Sequence, residues 1–172
     1  MTNHYVDTYQ LARSGQRLQG TMLLQDCKRL TEGLPDQGDA RASWVLSGET
    51  DAQGRRYLEL HVAAQPVLTC QRCLGDMVWS IDSENRLQLA GSEDELERLD
   101  AQDEASGAVT DRIVGSERLD VLALVEDELI LGLPYVPRHG ICPASEHRRQ
   151  EPDEAASRRP SPFAALGRLK KD

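Results

Sequence analysis

The stretch Leu119-Asp120-Val121-Leu122-Ala123-Leu124-Val125-Glu126-Asp127-Glu128-Leu129-Ile130-Leu131-Gly132-Leu133-Pro134 constrains the fold more than any other. Asp120 is placed to cap a helix, and Gly132 and Pro134 to stop it. On a wheel at about 100° per residue, Leu119, Leu122, Ala123, Val125, Leu129, Ile130 and Leu133 share one side. Val121, Leu124 and Leu131 take the other side, so the helix is apolar nearly all round and must be buried, against a sheet and against a partner. Glu126 falls inside the main stripe. Burying a lone carboxylate is costly, so Glu126 should reach the stripe edge or pair with an arginine; the alternative is a functional carboxylate.

Elsewhere the apolar spacing changes. Leu18 to Met22 predicts a first strand, and Leu23, Leu24, Cys27, Leu30 and Leu34 predict one amphipathic helix closed by Gly33 and Pro35. Ala42 to Leu46 and Tyr57 to Val62 alternate as two half-buried strands joined through Asp51 to Gly54. Val67 to Cys70 and Met77 to Ile81 read as a further pair, which sets Cys70 and Cys73 at a hairpin tip. Arg86 to Ala90 extends the meander, and Arg112 to Val114 returns as a strand. Seven acids between Glu93 and Glu104 face one arginine, which predicts an exposed, mobile loop or short surface helix. Strands followed by one apolar helix predict an α+β domain over residues 1–143: an antiparallel β meander covered by one or two helices, free of parallel βαβ units, with an acidic loop at 93–104. Residues 144–172 are expected to form an extended, basic, proline-containing tail.

Charge and composition narrow the function. The 172 residues carry a net charge of −9, divided into −11 over residues 1–143 and +2 over 144–172. That balance argues against a general nucleic-acid coat, and 4% aromatic residues argue against a sheet paved for base stacking. The longest uncharged apolar-rich run, Leu129 to Pro137, falls far short of the roughly 20 residues of a membrane span. With no signal-peptide pattern in Met1 to Thr8, a cytoplasmic protein with reduced cysteines is expected. A glycine-rich phosphate loop, Gly-x-Ser-x-Gly and His-Glu-x-x-His do not occur. His61 reads as a surface residue of its strand, and no catalytic constellation or small-molecule site is evident.

Cys70-x-x-Cys73 has the spacing with which a turn presents two thiolates to one metal ion, and zinc would require two further ligands. Cys142, His139 and His147 are the clustered candidates, with Cys70, Cys73, Cys142 and His139 as the set. A complete second Cys-x-x-Cys is missing, so plain buried thiols outweigh zinc in this reading, and no cofactor is the leading expectation. A thioredoxin-like role is disfavoured because the pair lies on a hairpin and not at a helix N-terminus.

Three motifs in order carry a resemblance: Cys70-Gln71-Arg72-Cys73, the Leu119 to Pro134 helix leading into Val136-Pro137-Arg138-His139, and Pro160-Ser161-Pro162-Phe163-Ala164-Ala165-Leu166-Gly167-Arg168-Leu169-Lys170. From Arg17 to Lys171 the chain resembles the YceD family. The resemblance implies a non-catalytic cytoplasmic ribosome-biogenesis factor that promotes synthesis, processing or stability of large-subunit (23S) ribosomal RNA. Relatives in other lineages bear a second cysteine cluster after the Leu-Pro helix, where this chain keeps Cys142 alone, which weighs against metal. The acidic body would repel phosphate, so the expected partner is ribosomal RNA through the basic tail or a basic ribosomal protein. Arg158, Arg159, Phe163, Leu166, Arg168, Leu169 and Lys170 are the docking candidates of that tail. The competing readings are a metal- or thiol-dependent enzyme acting on RNA, which needs an open coordination position, and an adaptor or holdase for a basic ribosomal protein.

Overall fold

The computed structural model describes residues 4–142. The chain divides into two units, Met1–Arg138 and His139–Asp172. The first contains, in order, β1 (Tyr5–Val6), α1 (Thr8–Ser14), β2 (Arg17–Leu23), a 3-10 turn (Leu24–Asp26), α2 (Lys28–Thr31), β3 (Arg41–Thr50), β4 (Arg56–Ala64), β5 (Val67–Thr69), β6 (Asp76–Val78), β7 (Ile81–Ala90), α3 (Glu93–Ser106), β8 (Arg112–Val114), β9 (Leu119–Asp120) and α4 (Val121–Leu131). This is the expected α+β class.

The main sheet runs β2-β3-β4-β7-β8 and is antiparallel except at its β7–β8 edge. Register gives it one apolar face. Trp44 stands beside Val62, Leu46 beside Leu60 and Gly48 beside Leu58, and Leu58 in turn is paired with Leu87. The opposite face carries Val45, His61 and Glu84 in one row and Ser47, Glu59 and Arg86 in the next. That face is open to water and holds exposed pairs such as Arg86 with Glu49 at 2.7 Å and His61 with Asp82 at 2.7 Å. An antiparallel sheet with one solvated face gives this alternation.

α4 covers the apolar face. Val121, Val125 and Leu129 are fully buried in the core with Leu24, Leu46, Leu58, Leu60 and Val62, each contributing about 1.5–3 kcal/mol of burial. Asp120 caps the helix, accepting from the N–H groups of Leu122 and Ala123 at 3.0 and 3.2 Å. The buried stripe is centred on Val121, Val125 and Leu129, so Val121 packs inward and Ala123 faces water, the reverse of the wheel's division. Two acids follow from that rotation. Glu128 overlies the sheet and accepts from the Ser83 hydroxyl and from Asn85 Nδ2, polar residues on the inner face of β7. Glu126 pairs with Arg29 at 3.0 Å and accepts from the N–H groups of Arg29 and Leu30, so it is the arginine-paired carboxylate the sequence anticipated.

The structure corrects three expectations. Leu23 to Leu34 forms no single helix: Leu23 ends β2, and Cys27 at φ −80°, ψ 82° separates a 3-10 turn from the four-residue α2. β5 and β6 pair only with each other and form a separate two-stranded sheet, so the meander passes from β4 to β7 without them. β7, α3 and β8 make one parallel βαβ crossover at the sheet edge, where none was expected. Of the two forms expected for the acidic stretch, loop or surface helix, it takes the helix, 14 residues long, capped by Ser92 and closed by Gly107 in the left-handed region, with no buried residue. Like charges tolerate that helix because the Arg112 side chain, 5% exposed, pairs with Asp100 and Asp103 at 2.7 Å each. Hydrogen bonds from Thr110 and Arg112 hold the Asp103 carboxyl below its ordinary range. β1, α1 and β9 had no counterpart in the sequence reading.

Two measurements check this packing. Gly48 lies under α1, where a Cβ would fall 2.3 Å from the Leu11 carbonyl oxygen. Gly48→Ala should therefore destabilise the protein by about 1–3 kcal/mol, read as a lower denaturation midpoint; an unchanged midpoint would contradict the close approach. Arg112→Ala should speed amide exchange across residues 93–106 and leave β3 and β4 protected. Equal exchange in variant and parent would show that α3 does not depend on this pairing.

Candidate metal centre

β5 and β6 are three residues each, too short to stand alone as a hairpin. Their environment fastens them. Gln37, 5% exposed, accepts from the Val67 N–H at 2.9 Å through Oε1 and donates from Nε2 to the Val67 and Pro35 carbonyls at 3.0 and 2.7 Å. Its amide thus stands in for a neighbouring strand. At the other end, Trp79 donates its backbone N–H to the Pro66 carbonyl at 2.9 Å and its indole N–H to the Gly132 carbonyl at 3.0 Å. The Gln71 N–H donates to the Pro137 carbonyl at 2.9 Å. The hairpin is therefore tied to the segment that leaves α4.

The tip folds tightly: the Cys70 N–H donates to Gly75 and the Leu74 N–H to Cys70. Leu74 carries φ +60°, an unusual value for a bulky side chain. This turn presents Cys70, buried, and Cys73, half-buried. With His139 and Cys142 they form a group whose ligand atoms all lie within 4.8 Å of one another. Cys142 Sγ is 4.0 Å from His139 Nδ1. The two halves share one spacing, Cys-x-x-Cys and His-x-x-Cys. Both halves were already the candidate set in the sequence, although without a second Cys-x-x-Cys they ranked below plain buried thiols.

The donor set fits a structural metal. Three thiolates and an imidazole match zinc's preference, and sulfurs at about 2.3 Å from a tetrahedral ion stand about 3.8 Å apart, so the group needs little contraction. The Cys70/Cys73/His139/Cys142 group could bind a metal. Four protein ligands fill a tetrahedron and leave no position for substrate. His147 and the tail candidates Arg158, Arg159, Phe163, Leu166, Arg168, Leu169 and Lys170 lie outside the described residues.

Cys27 lies elsewhere, buried under α4 with Sγ 3.8 Å from the Leu23 carbonyl. Burial, with the Glu126 and Asp26 charges adding to it, pushes its thiol up to about 11 from an ordinary 9.0. The folded state holds this proton more tightly than the unfolded chain, so its contribution to stability is complete below the unfolded value and is lost as pH rises through about 11. At neutral pH Cys27 should resist iodoacetamide in the folded protein and react once the chain is denatured, as read by peptide mass spectrometry. Rapid native labelling of Cys27 would refute its burial as a neutral thiol.

Among the described residues, no helix is long and apolar enough to cross a membrane. No solved structure matches the chain. The family model described as large ribosomal RNA subunit accumulation protein YceD matches residues 58–170, a span that takes in the cysteine hairpin, α4 and the His-x-x-Cys pair. The chain belongs to the YceD family.

Proposed function

We propose that this protein is a cytoplasmic, non-catalytic ribosome-biogenesis factor that promotes accumulation of large-subunit (23S) ribosomal RNA by binding. The observation that carries the reading is the closed donor set at residues 70, 73, 139 and 142 in a chain whose family is described by ribosomal RNA accumulation. A metal-dependent enzyme acting on RNA would need an open coordination position, and four protein ligands leave none. Zinc held by Cys70, Cys73, His139 and Cys142 would act as a structural clip, fastening a hairpin that the main sheet does not hold. The basic tail, with Arg158, Arg159, Phe163, Leu166, Arg168, Leu169 and Lys170, serves as a docking element. A second reading, an adaptor for a basic ribosomal protein, is favoured by α3, whose acids are all on the surface.

Purified full-length protein should contain one zinc per chain by elemental analysis, and Cys73→Ser and Cys142→Ser should reduce it. Cells lacking the protein should show a lowered ratio of large- to small-subunit ribosomal RNA, restored by the wild type but not by a chain truncated before residue 158. A normal ratio in the deletion strain would overturn the functional reading. Full zinc content in both cysteine variants would overturn the metal assignment.

A further inference from the structure

The main sheet ends on one side in β8, three residues long and tied to α3 by Arg112, and on the other in β2, seven residues long. The bonds between β2 and β3 fix which way the β2 backbone faces. The Gly48 N–H donates to the Gln16 carbonyl at 3.1 Å and the Leu24 N–H to the Ala40 carbonyl at 2.8 Å, so in this antiparallel register Gln16, Leu18, Gly20 and Met22 turn their backbone groups toward β3. Arg17, Gln19 and Thr21 therefore turn theirs outward, and among the described residues no backbone group meets them. Sheet edges are usually blunted by brevity, proline, a bulge or an inward-pointing charge, and β2 has none of these.

The inner side of this edge is a groove. Two hollows of about 340 and 320 Å3 meet at Val6 and Leu18, the first walled also by Gly20, Trp44 and Val121 and the second by Gln16. Leu18 and Gly20 are only half-buried there. The Trp44 ring lies over Gly20, where a Cβ would fall 2.7 Å from it, and the indole nitrogen is buried with no hydrogen-bond partner. A buried donor without an acceptor is costly, so this nitrogen marks where an acceptor is missing.

An unpaired backbone ladder calls for an extended strand, and the same edge of a second copy supplies one that fits. We propose that two copies of this chain pair through their β2 strands, antiparallel about a two-fold axis at Leu18, with Gln16 of each copy set over Gly20 of the other and accepting from its Trp44 indole N–H. In this register Arg17 and Gln19 exchange backbone hydrogen bonds with the partner's Gln19 and Arg17, and Leu18 meets the partner's Leu18 where the side chains of an antiparallel pair come closest. Each match answers a feature of the edge itself. Gln16 is exposed and its side chain makes no hydrogen bond among the described residues, while Gly20 leaves room opposite it. A small turn of the Trp44 ring toward the groove brings its nitrogen to that carboxamide oxygen. On the open face Arg17 stands opposite a neutral glutamine, so no like charges face each other directly. Copies that each carry −9 repel, yet residues 8–25 contain no acid, so the edge adds nothing to that repulsion.

Sedimentation velocity of the full chain, with reductant present so that no intermolecular disulfide forms, should show the mass double between about 1 and 100 µM. Gln19 is exposed on the open face of the sheet, so its variants should keep the wild-type denaturation midpoint. Gln19→Arg, set opposite the partner's Arg17, should weaken the dimer about tenfold, and Gln19→Glu should tighten it about threefold. Gln19→Pro removes an N–H that the single copy does not use and should leave a monomer. Gln16→Ala should weaken the dimer by removing the acceptor for Trp44. A monomer at every concentration would overturn the inference. So would a dimer that Gln19→Arg and Gln19→Pro leave intact, because the contact would then lie on another surface. Equal weakening by Gln19→Arg and Gln19→Glu would mean that Gln19 faces itself, and the register about Leu18 would fall together with its Gln16–Trp44 contact. Amide exchange reads the remaining alternative. Protection at Gln19 and Thr21 should rise with protein concentration, whereas full protection in the dilute monomer would show that another segment of the same chain covers the edge and would sink the pairing of copies.

Discussion

A sheet with one apolar face cannot remain uncovered, and the burial of that face beneath α4 and α1 is what the rest of the structure depends on. The arrangement explains why an eleven-residue helix needs so many attachments. α4 is capped by Asp120, and its first N–H, at Val121, donates to the His4 carbonyl at 2.9 Å. Along its length Glu126 and Asp127 engage Arg29, and Glu128 engages Ser83 and Asn85. The last two place polar groups on the inner face of β7, where an apolar residue would be expected. Glu128 is satisfied there by neutral donors, a cheaper solution than burying a second full charge. These polar contacts fix the rotation of a helix whose apolar side chains alone would allow several.

The cysteine hairpin poses the opposite problem. It lies between β4 and β7 in the chain and yet takes no place in their sheet. Two strands of three residues bury too little to order themselves. Gln37 completes one side of the hairpin and Trp79 anchors the other, while the tip is held by backbone hydrogen bonds. Metal binding energy counts as folding energy when the ligands come from segments that are otherwise weakly held. Cys70 and Cys73 are at positions 70 and 73 and His139 and Cys142 follow α4, so a metal would join the two parts of the chain that the sheet leaves outside.

The sequence was most legible where the apolar pattern was regular. β3 and β4 show the period of 2 because one face is buried and the other wet, and α4 shows strong start and stop residues. The pattern failed where tertiary context decides. Leu23, Leu24, Cys27 and Leu30 have helical spacing because a strand, a turn and one helical turn all point their apolar residues at the same core. β5 and β6 looked like meander strands because alternation does not encode which sheet a strand joins. α1 is only seven residues long, and a helix so short leaves little periodicity to read. In the candidate site, the Cys-x-x-Cys half was plain, whereas Gln37 carries no local signature, since its role exists only once Val67 is brought beside it. Arg112 likewise could not be matched to Asp100 and Asp103 before α3 and β8 were known to be neighbours.

Charge pairing bears on the proposed function. An acidic protein that contacts RNA, as proposed above, would face a repulsion that grows with every carboxylate near the polyanion, but at physiological ionic strength charges beyond about 8 Å are largely screened. What matters is therefore local composition at the contact and not the net charge of −9. Acids of α3 and of the open sheet face pair with Arg112, Arg86 and His61, and those of α4 with Arg29, Ser83 and Asn85. The hairpin carries both Arg72 and Asp76, and the α4 exit carries Arg138. Pairing an acid with an arginine or a neutral donor removes much of its field, so the repulsion a polyanion would meet is set by the acids left unpaired at the contact.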